Sequence, residues 1–247
     1  MKKLIVFFVC MFFMLLQISS YGQLKDKLSQ ASANGQSVFL VVTENGAADV
    51  DKAMNVARQA SSAVDHSTVM ELNRSDASNS ELVAKWGISA APLPLILVIA
   101  QNGVLAGGLL LQQATPANLA SLVPSPKKAE VIKTLSEGKS VFLVVSSKTM
   151  TEKSDIVNTC QQACIEMEQN AKIIEIDLND PKEKDFLTSL KIPSNITKPQ
   201  TYVLNSKGQV TGTFDGAVNA QNLVATAKKV AKTGGCCPGG SSKGCGK

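Results

Sequence analysis

Aromatic side chains and net charge are both scarce in this chain of 247 residues. Phe, Tyr and Trp make up 4% of it, and 25 Lys and Arg against 20 Asp and Glu leave a formal charge of +5. A nucleic-acid-binding protein needs a concentrated basic surface or a stacking platform of aromatic rings, so this composition argues against one. The single histidine, His66, lies in a polar turn without a matching nucleophile, and no catalytic triad can be built on it.

An apolar run near the N-terminus is too short to cross a bilayer. It covers residues 4–16, whereas a membrane-spanning helix needs about 20 residues. A basic start precedes the run and small polar residues follow it as far as Gly22, which is the layout of a secretory signal peptide. We therefore expect cleavage after Gly22 and an exported protein, periplasmic or secreted, with no stable membrane anchor. Retention of the segment as an anchor is the alternative.

The rest of the chain repeats itself. The segment 35–42 (GQSVFLVV) recurs as 138–145 (GKSVFLVV), 103 residues later, and later matches drift from that spacing by one or two residues. A period this long is typical of two domains and not of a solenoid. Two prolines, Pro124 and Pro126, separate the copies and make a short, fairly stiff linker. The predicted organisation is a signal peptide (1–22), domain 1 (23–123), a linker (124–128), domain 2 (129–233) and a flexible Cys/Gly-rich tail (234–247).

Both copies show the same order of predicted elements. A short helix (129–137 in the second copy) precedes an unbroken apolar run (38–43 and 141–146), which is typical of a strand covered on both faces. An amphipathic helix, a second strand, a short helix and two strands joined at a glycine turn follow. A last helix, 220–232 in the second copy, closes each unit. The fold class is therefore α/β, with a mixed central sheet flanked by helices in each copy.

Several short motifs lie in the second half of each copy. Trp86-Gly87-Ile88 is followed by Pro94, an apolar strand and Asn102-Gly103, and the second copy has similar residues at 190–192 and 198–208. With the element order, these motifs resemble the thioredoxin superfamily over almost all of residues 24–232. The chain is thus expected to contain two tandem thioredoxin-like domains.

The resemblance implies a role for two proline loops. Pro94 and Pro199 would be the cis prolines that face the active-site loop in this fold. The exposed backbone beside them, at Leu93-Pro94 and Lys198-Pro199, could pair with an extended peptide by strand addition.

Cysteine is missing where this family carries its chemistry. Thioredoxin-like oxidoreductases have Cys-x-x-Cys just after the first strand, where a helix N-terminus lowers the pKa of the first thiol. The corresponding stretches here are 44–50 (ENGAADV) and 147–153 (SKTMTEK), and neither contains a cysteine. We therefore expect a redox-inactive module that binds a peptide or a protein of the cell envelope.

Two cysteines lie on the predicted amphipathic helix of the second copy. Cys160 and Cys164 are four residues apart and so share one helix face. A redox pair or a two-thiolate metal site is conceivable. Core packing is the preferred interpretation, because the positions aligned with them in the first copy are Val56 and Ala60 and a free cysteine packs as a small hydrophobe.

Three more cysteines lie in the tail: Cys236, Cys237 and Cys245. Gly and Ser dominate this segment, so core packing does not explain the thiols. Thiolates are soft ligands, and three of them suit Cu(I) or Zn. Three alternatives for the tail cysteines remain open: disulfide exchange within the tail or with a partner protein, a structural disulfide, and no role. An unconventional thiol-disulfide oxidoreductase that uses the tail or helix cysteines is the alternative function.

Overall fold

The structure, a computed structural model, describes residues 23–230. The predicted signal peptide (1–22) and tail (234–247) therefore lie outside the described residues. Within residues 23–230, no helix combines the length and the apolar character needed to cross a membrane. The chain divides into two compact units, with the boundary between Lys133 and Thr134.

The first unit contains a four-stranded mixed sheet. The strand order is β2-β1-β3-β4, in which β1 and β2 are parallel and β3 is antiparallel to both β1 and β4. A short 3-10 turn precedes the third helix. The elements in chain order are α1 (Gln23–Ala33), β1 (Ser37–Thr43), α2 (Val50–Ser62), β2 (Ser67–Asn73), α3 (Ser80–Trp86), β3 (Leu95–Ile99), β4 (Leu105–Leu110) and α4 (Pro116–Ser121).

Strand β1 is the centre of the first unit, and every residue in it is buried. Alternate side chains point to opposite faces of a sheet. Leu40 and Val42 belong to a core cluster with side chains of α1 and α3, whereas Phe39 and Val41 pack with α2 and α4. The apolar run is continuous because helices cover both faces, which confirms the prediction made from the sequence.

The second unit repeats this topology with the strand order β6-β5-β7-β8. Its core includes Phe142 and Val144 of the central strand, packed against the helices at 153–166 and 220–227. The remaining elements are α5 (Pro126–Ser136), which spans the boundary between the units, then β5 (Ser140–Ser146), α6 (Lys153–Glu166), β6 (Ala171–Asp177), α7 (Lys184–Ser189), β7 (Gln200–Leu204), β8 (Val210–Asp215) and α8 (Ala220–Ala227). The predicted order of elements is confirmed in both copies.

Two predicted boundaries differ from the structure. Helix α5 begins at Pro126 and not at Ala129, so the last three residues of the predicted linker are helical. Proline is favoured in the first turn of a helix because the missing N–H is not needed there. The Ala129 N–H donates to the Ser125 carbonyl at 2.8 Å, which closes that turn. Helix α8 ends at Ala227, five residues earlier than predicted.

Candidate functional site

The loops singled out from the sequence lie at one end of each sheet. In the first unit β1 runs antiparallel to β3 and Val42 lies opposite Leu95. The loop that leaves β1 (44–49) and the loop that enters β3 (88–94) are therefore at the same end of the sheet, beside the first turn of α2. We call these two loops the β1–β3 end. The corresponding β5–β7 end of the second unit consists of 147–152 and 192–199.

The two prolines at these ends differ in their peptide bonds. The Leu93–Pro94 bond is cis and is the only cis bond among residues 23–230. The expectation of a cis proline is thus confirmed at Pro94 and wrong at Pro199. The loop between the short helix and the proline has seven residues in the first unit (87–93) and nine in the second (190–198), where the bond before the proline is trans. Both carbonyls still pair across the sheet, since Leu111 donates to Pro94 at 3.0 Å and Gly216 to Pro199 at 2.9 Å.

The residues beside the prolines differ in exposure. Pro94 and Pro199 are buried, Leu93 is half-buried against the core of the first unit, and Lys198 is exposed. No backbone hydrogen bond joins the N–H or C=O of Leu93 to another described residue. The Leu93 backbone therefore has one donor and one acceptor without a backbone partner among residues 23–230.

An arginine that the sequence analysis did not single out connects the two loops of the β1–β3 end. The Arg74 guanidinium donates from Nε to Glu44 Oε2 at 2.9 Å, and its Nη2 forms an ion pair with the same oxygen at 2.7 Å. Its Nη1 donates to the carbonyl of Ala91 at 2.8 Å and to that of Ile88 at 3.3 Å. The only sequence signal was a difference between the copies, because Leu178 takes the place of Arg74 in the second unit.

Amide and hydroxyl groups, and no thiol, hold the rest of the loop that leaves β1. Asn73 Nδ2 donates to Asn45 Oδ1 at 2.8 Å, and the Asn45 N–H donates to Ser75 Oγ at 3.3 Å. Asp49 precedes α2 with a φ of 60° and makes no side-chain cap bond. The first turn of α2 has the sequence Val50-Asp51-Lys52-Ala53 and contains no sulfur nucleophile.

The β5–β7 end of the second unit has a different set of polar contacts. The Ser147 N–H donates to Met150 Sδ at 3.3 Å, and the Ser147 and Thr149 hydroxyls are 2.9 Å apart. Lys153, the first residue of α6, forms an ion pair with Glu175 at 2.7 Å. This end also lacks a group that could form a mixed disulfide.

Several solved structures resemble the chain at low identity. One is a thiol:disulfide interchange protein of the thioredoxin family from Chlorobium tepidum, at 15% identity over 39% of this chain and 81% of that chain, with a TM-score of 0.29. Another contains the first two thioredoxin domains of Naumovozyma dairenensis Eps1p, at 10% identity over 82% and 95%, with a TM-score of 0.30. Human ERp44 in a zinc-bound form matches at 10% identity over 82% and 57%, with a TM-score of 0.37. Scans against protein-family models and curated proteins find no match.

The fold of each unit is assigned from its own topology. Both sheets have a parallel pair joined by a crossover helix, followed by an antiparallel hairpin and a closing helix. In the first unit a cis proline precedes the third strand. Each unit has a thioredoxin-like fold.

The helix cysteines of the second thioredoxin-like unit are core residues, as expected. Cys160 is fully buried and Cys164 is 7% exposed, in a cluster that includes Phe142 and Leu223. Both are free thiols. Neither lies at the β5–β7 end, because they occupy the middle and the last third of α6.

The alignment of these cysteines with the first copy needs a correction. Helices α2 and α6 begin 103 residues apart, so Cys160 corresponds to the fully buried Ala57 and not to Val56. By the same spacing Cys164 corresponds to Ser61 and not to Ala60. The spacing is 104 at β2 and β6. Helix α6 has 14 residues and α2 has 13, and four residues follow each of them before the next strand, so the extra residue lies within the longer helix.

Burial makes both thiols poor nucleophiles. The pKa of the Cys160 thiol is raised to about 12, mainly by burial and also by the neighbouring Cys164, while the hydroxyl of Thr201 opposes the shift. Thr201 Oγ1 has no hydrogen bond of standard geometry, so we treat its effect as small. Burial also raises the pKa of Cys164. Thiolates, and not thiols, attack disulfides.

Metal ligands are not grouped in the described part of the chain. Residues 23–230 contain no cluster of three or more His, Cys, Asp or Glu side chains arranged to hold an ion. The candidate ligands Cys236, Cys237 and Cys245 lie outside those residues, so the structure leaves the tail hypothesis untested.

Proposed function

We propose that the chain is a non-catalytic thioredoxin-like protein that binds an extended peptide or protein segment at the β1–β3 end. One observation supports this above the others: the loop that leaves the central strand contains no cysteine in either unit, while the fold around it is retained. The two cysteines within the described units are buried in a core, with pKa values raised by burial.

Binding would use the free backbone groups of Leu93. A peptide that adds to a sheet or loop edge by main-chain pairing gains about 0.5–1.5 kcal/mol from each hydrogen bond. The Leu93 N–H and C=O offer one donor and one acceptor, so main-chain pairing alone gives weak binding. Affinity beyond that would come from side chains of the partner against the half-buried Leu93 and the loop 44–49.

Photo-cross-linking tests the location of the site. The probe is a reduced and carboxymethylated protein, which is extended and has no free thiol. A photoreactive amino acid replaces the exposed Pro92, and a matched variant carries it at Thr197, the exposed counterpart in the second unit. We expect cross-links from position 92 and few from position 197. No cross-link from position 92, or equal yields from both, would contradict the proposed site.

A disulfide-reduction assay tests the absence of catalysis. With dithiothreitol as the reductant, the full chain should not accelerate the reduction of insulin disulfides. The Cys236→Ser, Cys237→Ser variant is the matched control. Acceleration by the native sequence that disappears in this variant would establish the alternative function, an oxidoreductase that uses tail cysteines.

The tail is proposed to bind a soft metal ion, either Cu(I) or Zn. Its support comes from the sequence alone: three thiols in a Gly/Ser-rich segment that has no core to pack into. Titration of the full chain with Cu(I) against a competing chelator should show a site that a chain ending at residue 233 lacks. Equal Cu(I) binding by the full chain and by the chain ending at residue 233 would contradict the hypothesis.

Export and an envelope partner are proposed on the same sequence basis. The basic start and apolar run of residues 1–22 have the layout of a signal peptide. N-terminal sequencing of the protein recovered from outside the cytoplasm should begin at Gln23. A protein that retains Met1 in the soluble cytoplasmic fraction would contradict export.

A further inference from the structure

We propose that Arg74 is a positioning residue that holds the loop before Pro94 in the shape that presents the Leu93 backbone. This inference rests on the proposed peptide-binding function and adds to it the residue that sets the geometry of the site. Arg74 would not touch the bound peptide. It acts through Ile88 and Ala91, which belong to the loop, and through Glu44 at the other side of the β1–β3 end.

The contacts of Arg74 use the whole guanidinium fork. Nε donates to Glu44 Oε2, Nη2 forms an ion pair with the same oxygen, and Nη1 donates to the carbonyls of Ala91 and Ile88. Bonds from a charged donor are stronger than neutral ones, and the planar fork fixes the direction of all three partners. The Arg74 side chain is only 18% exposed, so water competes weakly for these bonds.

The backbone of Arg74 is itself fixed by the sheet. It follows β2 directly, and its N–H donates to the carbonyl of Thr43 at the end of β1, at 2.9 Å. The side chain therefore projects from a rigid element onto a loop. An arginine on a mobile loop would not transmit a defined position in this way.

The loop before Pro94 has few restraints of its own. Two N–H groups of the loop 88–94 donate backbone hydrogen bonds: Ile88 to the Val83 carbonyl at 3.1 Å and Ala91 to the Ile88 carbonyl at 3.3 Å. Pro92 has no N–H to donate. Arg74 thus supplies two of the hydrogen bonds that this loop receives, while the side chains of Ala91 and Leu93 pack on the core.

The second unit shows that the fold itself does not require this arrangement. Leu178 occupies the position of Arg74, with its N–H on the Ser146 carbonyl at 2.8 Å, and Ser147 occupies the position of Glu44. Both partners of the ion pair are missing together. A role in general folding would call for the pair in both units, whereas a role at one binding site calls for it in one.

Two measurements on the full chain test the inference. Hydrogen exchange of the amides in 88–93 reports the position of the loop, and fluorescence titration with the carboxymethylated protein reports affinity. We expect Arg74→Ala to raise exchange in this segment and to weaken affinity, each by about tenfold or more, because it removes charge-assisted bonds. Arg74→Lys should give an intermediate effect, since one ammonium cannot serve three partners. Lys25→Ala, which breaks the exposed Lys25–Glu81 pair in the same unit, is the control and should change neither.

The outcomes separate this inference from the function on which it rests. Exchange in Arg74→Ala that stays within twofold of the Lys25→Ala control would overturn the positioning role. If the native sequence does not bind the carboxymethylated protein, the proposed function fails, and the exchange data still decide the role of Arg74. Should Arg74→Ala not fold, Arg74→Lys carries the test, and exchange at the native rate in that variant would overturn the inference.

Discussion

Alkylation of Cys160 in the native protein tests the claim that the described units hold no nucleophilic thiol. An ordinary cysteine with a pKa of 9.0 is about one-tenth ionised at pH 8, whereas burial raises the pKa of Cys160 to about 12. At that pKa about one thiol in ten thousand is a thiolate at pH 8. Because the thiolate is the reacting form, the ionised fraction alone should slow alkylation about a thousandfold.

The assay compares the same residue in two states. Full-length protein is exposed to iodoacetamide for set times at pH 8, in buffer and in concentrated urea, and mass spectrometry of the digest gives the labelled fraction at each cysteine. In buffer, Cys160 should react about a thousandfold more slowly than in urea, and the 7% exposed Cys164 should fall between these limits. A native rate within tenfold of the unfolded rate would refute the reasoning. It would also make Cys160 an available nucleophile and weaken the non-catalytic proposal.

Three further predictions concern stability, measured by urea unfolding. The buried thiol of Cys160 contributes stability that is complete below its unfolded pKa of 9.0 and is lost as the pH rises toward about 12. In Cys160→Ala the free energy of unfolding should therefore fall less steeply between these pH values, by up to about 1.4 kcal/mol per pH unit. An unchanged slope would contradict this. Gly108→Ala should lower the free energy of unfolding by about 1–3 kcal/mol, because the added Cβ would lie 3.1 Å from the Ile96 carbonyl oxygen and 2.6 Å from a side-chain carbon. Gly107→Ala is the control and should lower it much less, because the nearest atom to its Cβ is 3.6 Å away. Leu119→Ala should lower the free energy of unfolding by about 2–5 kcal/mol because the Leu119 side chain is fully buried. A decrease below about 1 kcal/mol would show that the surrounding core closes over the cavity.

Local patterns predicted the elements well because the elements depend on local periodicity. The unbroken run 38–43 became β1 (Ser37–Thr43), and the glycine predicted at the first hairpin turn, Gly103, has a φ of 79°. Helix ends were predicted less well, because distant groups contribute to them. Helix α8 stops at Ala227, and the side chain of Asn205 binds the carbonyl of Lys229 just beyond it, at 2.8 Å.

The candidate site was only partly predictable. Leu93 and Pro94 were named from motifs, and the structure places them at the β1–β3 end with a free backbone donor and acceptor. Arg74 was missed because its partners lie 30, 14 and 17 residues away in the chain, and no short pattern brings such residues together. The isomer of the bond before Pro199 was predicted wrongly, because the motifs around the two prolines are similar and do not distinguish a cis bond from a trans bond.

The amino-acid sequence by itself determined that there are two α/β copies and that neither has a thiol after its central strand. Both are properties of residue identity and local spacing, which need no coordinates to read. The tertiary structure alone decided that Cys160 is in register with Ala57 and that the two proline loops differ. It also decided that one arginine connects the loops of the first unit. These features arise where segments far apart in the chain meet, and their geometry is set by packing and by loop length.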